Sequence, residues 1–350
     1  MITQSKNRLN EEGIVSIVVT LIIMIILTLI VTGFAQLARR EQREALDRQL
    51  SAQASYAAES GINALKAALP YITDDSRTAC DDDKIKPSKG TNPFESTTLS
   101  DSSSYTCLLF NRKPKELLFQ DVTGDPVIAP LTLEGSTGPV ALENLNISWK
   151  AKDGSTSVNS SNRGEFPTAS LWGKSIGILR LDLIPIPDSG NITTSDLDNS
   201  TKTKSFLLQP QKTGIDPKRE IGTINSGEVI GVKCNVTANS GCTFIIAGLK
   251  LKKYYLRMRS IYNTSSITLN NQVPGGVAST STFKGAQIEI DSTGKAADVL
   301  KRIKVRIEDP KSSVSTANGP NFPEYVFSSN DILCKRLSLT NIKTGDECSP

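Results

Sequence analysis

From Ile14 to Ala38 no residue carries a charge. As an α-helix this run spans about 37 Å, against a hydrocarbon core of about 30 Å. It exceeds the roughly 7–15-residue apolar core of a secretory signal peptide, and "TGFAQLARR" offers a poor cleavage site after it. The run therefore predicts a retained membrane helix. No proline occurs between Ile14 and Leu69, and Pro70 follows at once. A helix commonly ends just before such a proline, so one continuous helix is expected over 14–69, with its membrane part at 14–38.

The outer half, "REALDRQLSAQASYAAESGINALKAAL", places Leu46, Leu50, Ala54, Ala57, Gly61, Ala64 and Ala68 three and four residues apart. That is one stripe of a 3.6-residue period. Arg40 with Glu44, Arg43 with Asp47, and Glu44 with Arg48 add opposite charges four apart. The stripe is rich in Ala and Gly, and small residues let a neighbouring backbone come close. Two partners fit it: the chain's own domain, or copies and relatives of the helix.

Histidine is absent from the 350 residues. This removes Ser-His-Asp and Cys-His nucleophile pairs and every His-ligated metal site. No constellation for catalysis and no cofactor motif is present, so the expectation is a non-enzyme without metal or cofactor. A formal net charge of +4 gives no global attraction to nucleic acid or anionic lipid. Six cysteines stand behind the membrane segment, as disulfides in an oxidising compartment would. Six allow 15 connectivities. Nearest neighbours close the shortest loops, which favours Cys80 with Cys107, Cys234 with Cys242, and Cys334 with Cys348. Four arginines (Arg39, Arg40, Arg43 and Arg48) flank the apolar run on its C-terminal side, against Lys6 and Arg8 before it. Positive-inside counting alone would put the C-terminal side in the cytoplasm, but the rule weakens when a long domain follows. The cysteines and the Ser/Thr-rich bulk favour an external C-terminal domain.

The N-terminal part resembles the type IV pilin-like proteins, specifically PilX-type minor pilins and the K-type pseudopilins. The residues that carry the resemblance are the polar leader ending in Gly13, the charge-free run from Ile14, and "DRQLSAQASYAAESGINAL". It covers roughly residues 1 to 69. The resemblance implies cutting by a prepilin peptidase between Gly13 and Ile14. It also implies storage in the cytoplasmic membrane and assembly with other pilin subunits and the pilus machinery into a cell-surface filament. Major pilins usually carry Glu at the fifth mature position, and here that position is Val18. The departure points to a minor, tip or initiating subunit. A permanently anchored surface adhesin or binding protein is the alternative.

Beyond Pro70 the pattern is strand-like, with candidates at "YTCLLF", "ALENLNISWKA", "SIGILRLDLIPI", "KSFLLQP", "TFIIAGLKL", "YYLRMRSIY", "AQIEI" and "IKVRIE". The expected fold class is α+β: a long N-terminal transmembrane or filament helix, then a β-rich, disulfide-stapled extracytoplasmic domain over 70–350, after a leader at 1–13. One unit and two both fit the strand spacing. "AADVLKR" suggests a helical turn between two strands. Two strands are basic. One gathers Lys250, Lys252, Lys253, Arg257 and Arg259 beside Tyr254 and Tyr255, with a bulge or strand end at Lys252–Lys253. The other alternates Arg302, Lys304 and Arg306 with Ile303, Val305 and Ile307. Such strands suit DNA or a surface ligand, or a solvated face that guards a sheet edge. "TDDSRTACDDDK" is acidic enough for Ca²⁺ but lacks the spaced ligand loop. "LWGKSIG" has Thr168 where a P-loop needs its first glycine. Asn146 and Asn235 stand in glycosylation triplets.

Overall fold

The computed structural model describes residues 11–95, 97–100, 103–187, 199, 202–213, 218–235, 241–271 and 280–310. Helix α1 runs Glu11–Ala68, 58 residues or about 87 Å. A 3₁₀ turn at Leu69–Tyr71 ends it. Pro70 explains the stop of the α-helix, since it lacks the N–H that the next α-helical hydrogen bond would need.

The strands follow in chain order. They begin with β1 (Ser76–Arg77), β2 (Thr97–Ser100), β3 (Ser103–Asn111), β4 (Glu116–Val122), β5 (Val127–Gly135), β6 (Gly138–Val140) and β7 (Asn144–Ala151). A single helical turn, α2 (Ala169–Trp172), precedes β8 (Ile178–Pro185), β9 (Lys204–Gln211), β10 (Lys218–Glu220) and β11 (Val229–Lys233). The last are β12 (Cys242–Ala247), β13 (Lys253–Ile261), β14 (Ser265–Asn270), β15 (Thr282–Phe283), β16 (Gln287–Ala296) and β17 (Val299–Glu308). The chain is thus one long apolar helix followed by a β-rich region that carries two disulfides, Cys80–Cys107 and Cys234–Cys242. Cys334 and Cys348 lie outside the described residues.

The chain forms two compact units: the residues up to Leu109 with Ile290–Val305, and Phe110–Glu289 with the residues from Arg306. In the first, α1 accompanies a sheet of order β1-β3-β16-β17, with β2 paired to β3. "AADVLKR" is not helical. Ala297 and Asp298 form a two-residue turn, with Ala297 at φ 51°, and β17 begins at Val299. Two strands joined this closely need positive φ in the turn. Pairing of the long strands outweighs the helical preference of Ala, Leu and Lys.

In the second unit a five-stranded sheet (β10-β12-β7-β14-β4) and a larger one (β11-β9-β8-β13-β5-β15, with β6 on β5) share one core. Ile147, Trp149, Phe244 and Leu269 from the first sheet meet Leu181, Phe206, Leu256 and Met258 from the second. Along β14 the side chains alternate between buried and half-buried, the period of two expected of a strand with one face inside. Each large side chain buried this way contributes about 1.5–3 kcal/mol. Trp149 brings a polar atom inside, and its indole N–H donates to Gly177 O at 3.0 Å. "LWGKSIG" supplies α2 and a bend at Gly173 rather than a phosphate loop. Its Trp172 is buried and stacks on Tyr262 with ring centroids 4.5 Å apart.

Candidate functional site

Helix α1 changes character along its length. From Ser16 to Gln49 every residue is exposed, including Ile17 at 66%, Leu29 at 66% and Phe34 at 68%. The apolar run is the one helix among the described residues long and apolar enough to cross a membrane, with a mean hydropathy of 3.0 over its most apolar window. Its hydroxyls suit such a solvent. Thr20 donates to Ile17 O at 2.9 Å, Thr28 to Met24 O and Ile25 O, and Thr32 to Thr28 O and Leu29 O. Each satisfies its O–H inside the helix, so none needs water in hydrocarbon. Gly13 and Ile14 lie within the first described turns of α1. Val18 is half exposed and offers no charge.

Charge returns abruptly at Arg39. The Arg48–Glu44 pair is 3.8 Å apart with both side chains largely exposed, so it adds little stability. From Ala54 onward one face packs on the sheet of its own unit. Ala54, Ala57, Ala58, Gly61, Ile62, Leu65, Ala68 and Leu69 are buried. The contact is closest at two glycines. A Cβ on Gly294 of β16 would overlap Ala54 O and come within 2.5 Å of Ala58 N, backbone atoms that cannot swing aside. A Cβ on Gly61 would meet Ser292 Oγ at 2.7 Å and Leu108 Cδ2 at 2.9 Å. Small residues on the helix and a glycine on the strand therefore bring backbone against backbone. Of the stripe read from the sequence, Ala54, Ala57, Gly61 and Ala68 are in this face. Leu50 and Ala64 sit half-buried at its margin, and Leu46 is 54% exposed. The stripe omitted Ala58, Ile62 and Leu65. They belong to the same face, one position around the helix, because the sheet covers a wider arc than a single row of side chains.

The disulfide loop beside this contact is organised by Arg77, which is 1% exposed. Its guanidinium donates to the carbonyls of Asp82, Cys80 and Leu108 and lies 4.6 Å from the centre of the Phe94 ring. Burial lowers its pKa, while the negative fields of Asp82, Asp83 and Asp81 oppose that loss. The acidic run considered for Ca²⁺ thus faces an internal cation. No group of three or more metal-ligating side chains occurs among the described residues.

The basic strands separate by partner. Arg302 grips Asp291 through Nε at 2.7 Å and Nη2 at 2.5 Å. Arg306 lies 3.0 Å from Glu116 and 3.1 Å from Glu289. Both guanidinium groups are committed to carboxylates, and Lys304 also has a partner. In the other basic stretch β13 starts at Lys253, so the phase slip is a strand end. Arg257 and Arg259 alternate with the buried Leu256, Met258 and Ser260, and Tyr254 and Tyr255 are both buried. Neither tyrosine ring is presented for stacking on a base. Lys250 lines an open cleft together with Lys202 and Lys204, two lysines that sequence reasoning did not connect with it. Asn146 is 7% exposed within β7, a strand paired on both sides, so the folded unit cannot take a glycan there. Asn235 has a partner of its own.

Residues 12–63 match the family model described as PilX N-terminal. Comparison with curated proteins and with solved structures finds no match. The matched span takes in the apolar run and the packed face from Ala54 to Ile62. The helical N-terminal region of this chain is therefore similar to the N-terminal region of the PilX family.

Proposed function

We propose that the chain is a minor subunit of a type IV pilus or related filament, at or near the tip, with an initiating role in assembly. The observation that carries this reading is the charge-free, exposed half of α1, in a helix that matches the PilX N-terminal model and has Val18 at the fifth position after Gly13. A prepilin peptidase cuts between Gly13 and Ile14, and the helix waits in the cytoplasmic membrane until assembly. Apolar side chains facing all directions are matched equally by lipid and by neighbouring helices, so one surface serves both states. Without a carboxylate at Val18 the subunit cannot neutralise the N-terminal amine of an adjacent subunit inside the filament core, where an unpaired charge is costly. A place at one end of the filament avoids that demand. The β units lie outside the cytoplasm, which the two disulfides support.

Mass spectrometry of the N-terminus, in cells with an active prepilin peptidase, tests the reading. The expected product begins at Ile14 and is methylated on its amine. A leader still attached in membrane-extracted protein would overturn it and leave a permanently anchored surface protein.

A further inference from the structure

One cleft of the second unit gathers several charged side chains. It encloses about 690 Å³ and is open to solvent, with Lys204, Lys250 and Glu220 around an apolar floor that includes Pro185, Ile221 and Leu251. Among the described residues, Lys204, Lys250 and Glu220 make no side-chain ion pair or hydrogen bond. The position of Lys250 is fixed from below, since the Tyr254 hydroxyl accepts the backbone N–H groups of Lys250 and Leu251 at 3.1 Å each. Glu220 ends β10, the terminal strand of its sheet, which pairs with β12 on one side and with no described strand on the other. The cleft thus reaches the last residue of a strand whose other edge no described strand covers.

We propose that this cleft and the edge of β10 that no described strand covers hold an extended acidic segment of a partner polypeptide. Such a segment adds to β10 through backbone hydrogen bonds. Alternate side chains then point the same way, so carboxylates reach Lys204 and Lys250 while the residues between them cover the apolar floor. Glu220 accepts N–H groups that a peptide carries and a phosphate backbone does not. Sugar or base stacking needs an exposed ring, and the Tyr254 ring is buried. This inference concerns the second unit and stands independently of how the N-terminal helix is processed.

Fluorescence anisotropy on the full chain in uncharged detergent tests it, with labelled acetyl-(Asp-Val)₃-amide as the probe. Saturable binding is expected, weakened about tenfold or more by Lys204→Glu with Lys250→Glu. Binding should also be lost when alternate peptide nitrogens are methylated, since a methylated nitrogen cannot bond to a strand edge. Lys252→Glu changes the charge by the same sign at a residue outside the cleft lining and is expected to leave binding within about twofold. Equal loss in Lys252→Glu would show general charge attraction and overturn the proposal. So would the absence of saturable peptide binding, or displacement of the peptide by an oligoglucuronate or an oligonucleotide at lower concentration than by unlabelled peptide.

Discussion

The two halves of α1 share one backbone and one helical period, yet they are finished differently. Between Ile17 and Leu37 the apolar side chains are exposed among the described residues, whereas Ala54, Ala58 and Leu65 are fully buried on a sheet of the same unit. Large aliphatic residues fill the exposed half, and Ala and Gly supply five of the eight buried residues of the packed face. Size tracks the nature of the partner. A half that meets lipid or other helices gains from bulk, while a half that must admit a β-strand backbone at Gly294 gains from having little side chain in the way. The small-residue stripe thus has an intramolecular partner, and the apolar run has none among the described residues.

The strongest attempt to break this contrast is Gly294→Leu. The side chain would enter the helix backbone at Ala54 and Ala58, and we expect a loss on the order of 4 kcal/mol, read as a lower thermal midpoint of the first unit. Ile25→Asp should do the reverse, leaving that midpoint unchanged and costing about 3 kcal/mol in membrane insertion, read as release from the membrane fraction. If Ile25→Asp lowered the midpoint of the folded units, the two halves would not be separable. Gly61→Ala adds one methyl at the packed face, where Ser292 Oγ and Leu108 Cδ2 must give way, for about 1–2 kcal/mol. Leu46→Ala lies just outside that face and should change stability by less than about 0.5 kcal/mol. A larger effect would extend the face toward the membrane half.

A pH titration sharpens the view of the second unit. Burial would raise the Glu134 carboxyl, but hydrogen bonds and charge from Lys284 and Lys113 outweigh it and hold the pKa below its ordinary 4.5. Burial likewise opposes, and the Asn225 N–H and Arg219 outweigh it, at Glu228. Folded-state values below the unfolded ones mean stability that is present above about pH 4.5 and is lost as pH falls through the folded values. Glu134→Gln with Glu228→Gln should flatten that acid limb of the unfolding midpoint. An unchanged slope would assign the limb to other carboxylates.

Much of the architecture could be read along the chain, for local reasons. The helix end was legible because Pro70 acts on its own neighbour, and the apolar run because lipid imposes a length and forbids charge. Strands such as β7, β8 and β13 showed themselves by continuous or alternating apolar residues. Short or polar strands did not: β10, β15 and β1 are strands because a neighbour pairs with them, and "AADVLKR" is a turn because β16 and β17 are long enough to impose one. At the candidate sites the basic residues were legible as residue types. Their partners were not, since Arg306 finds Glu116 some 190 positions away.

By itself the sequence determined what each segment can tolerate: a helix without a break from the apolar run to Pro70, cysteines close enough to staple short loops, and no histidine chemistry. These follow from backbone geometry, solvent and atom inventory, which act within a few residues. Only the tertiary structure decided which face of α1 is covered, which cations are neutralised, and that Lys202, Lys204 and Lys250 share a cleft. Those outcomes depend on pairing between distant strands, where the free energy lies in the fit of two surfaces and neither segment carries it alone.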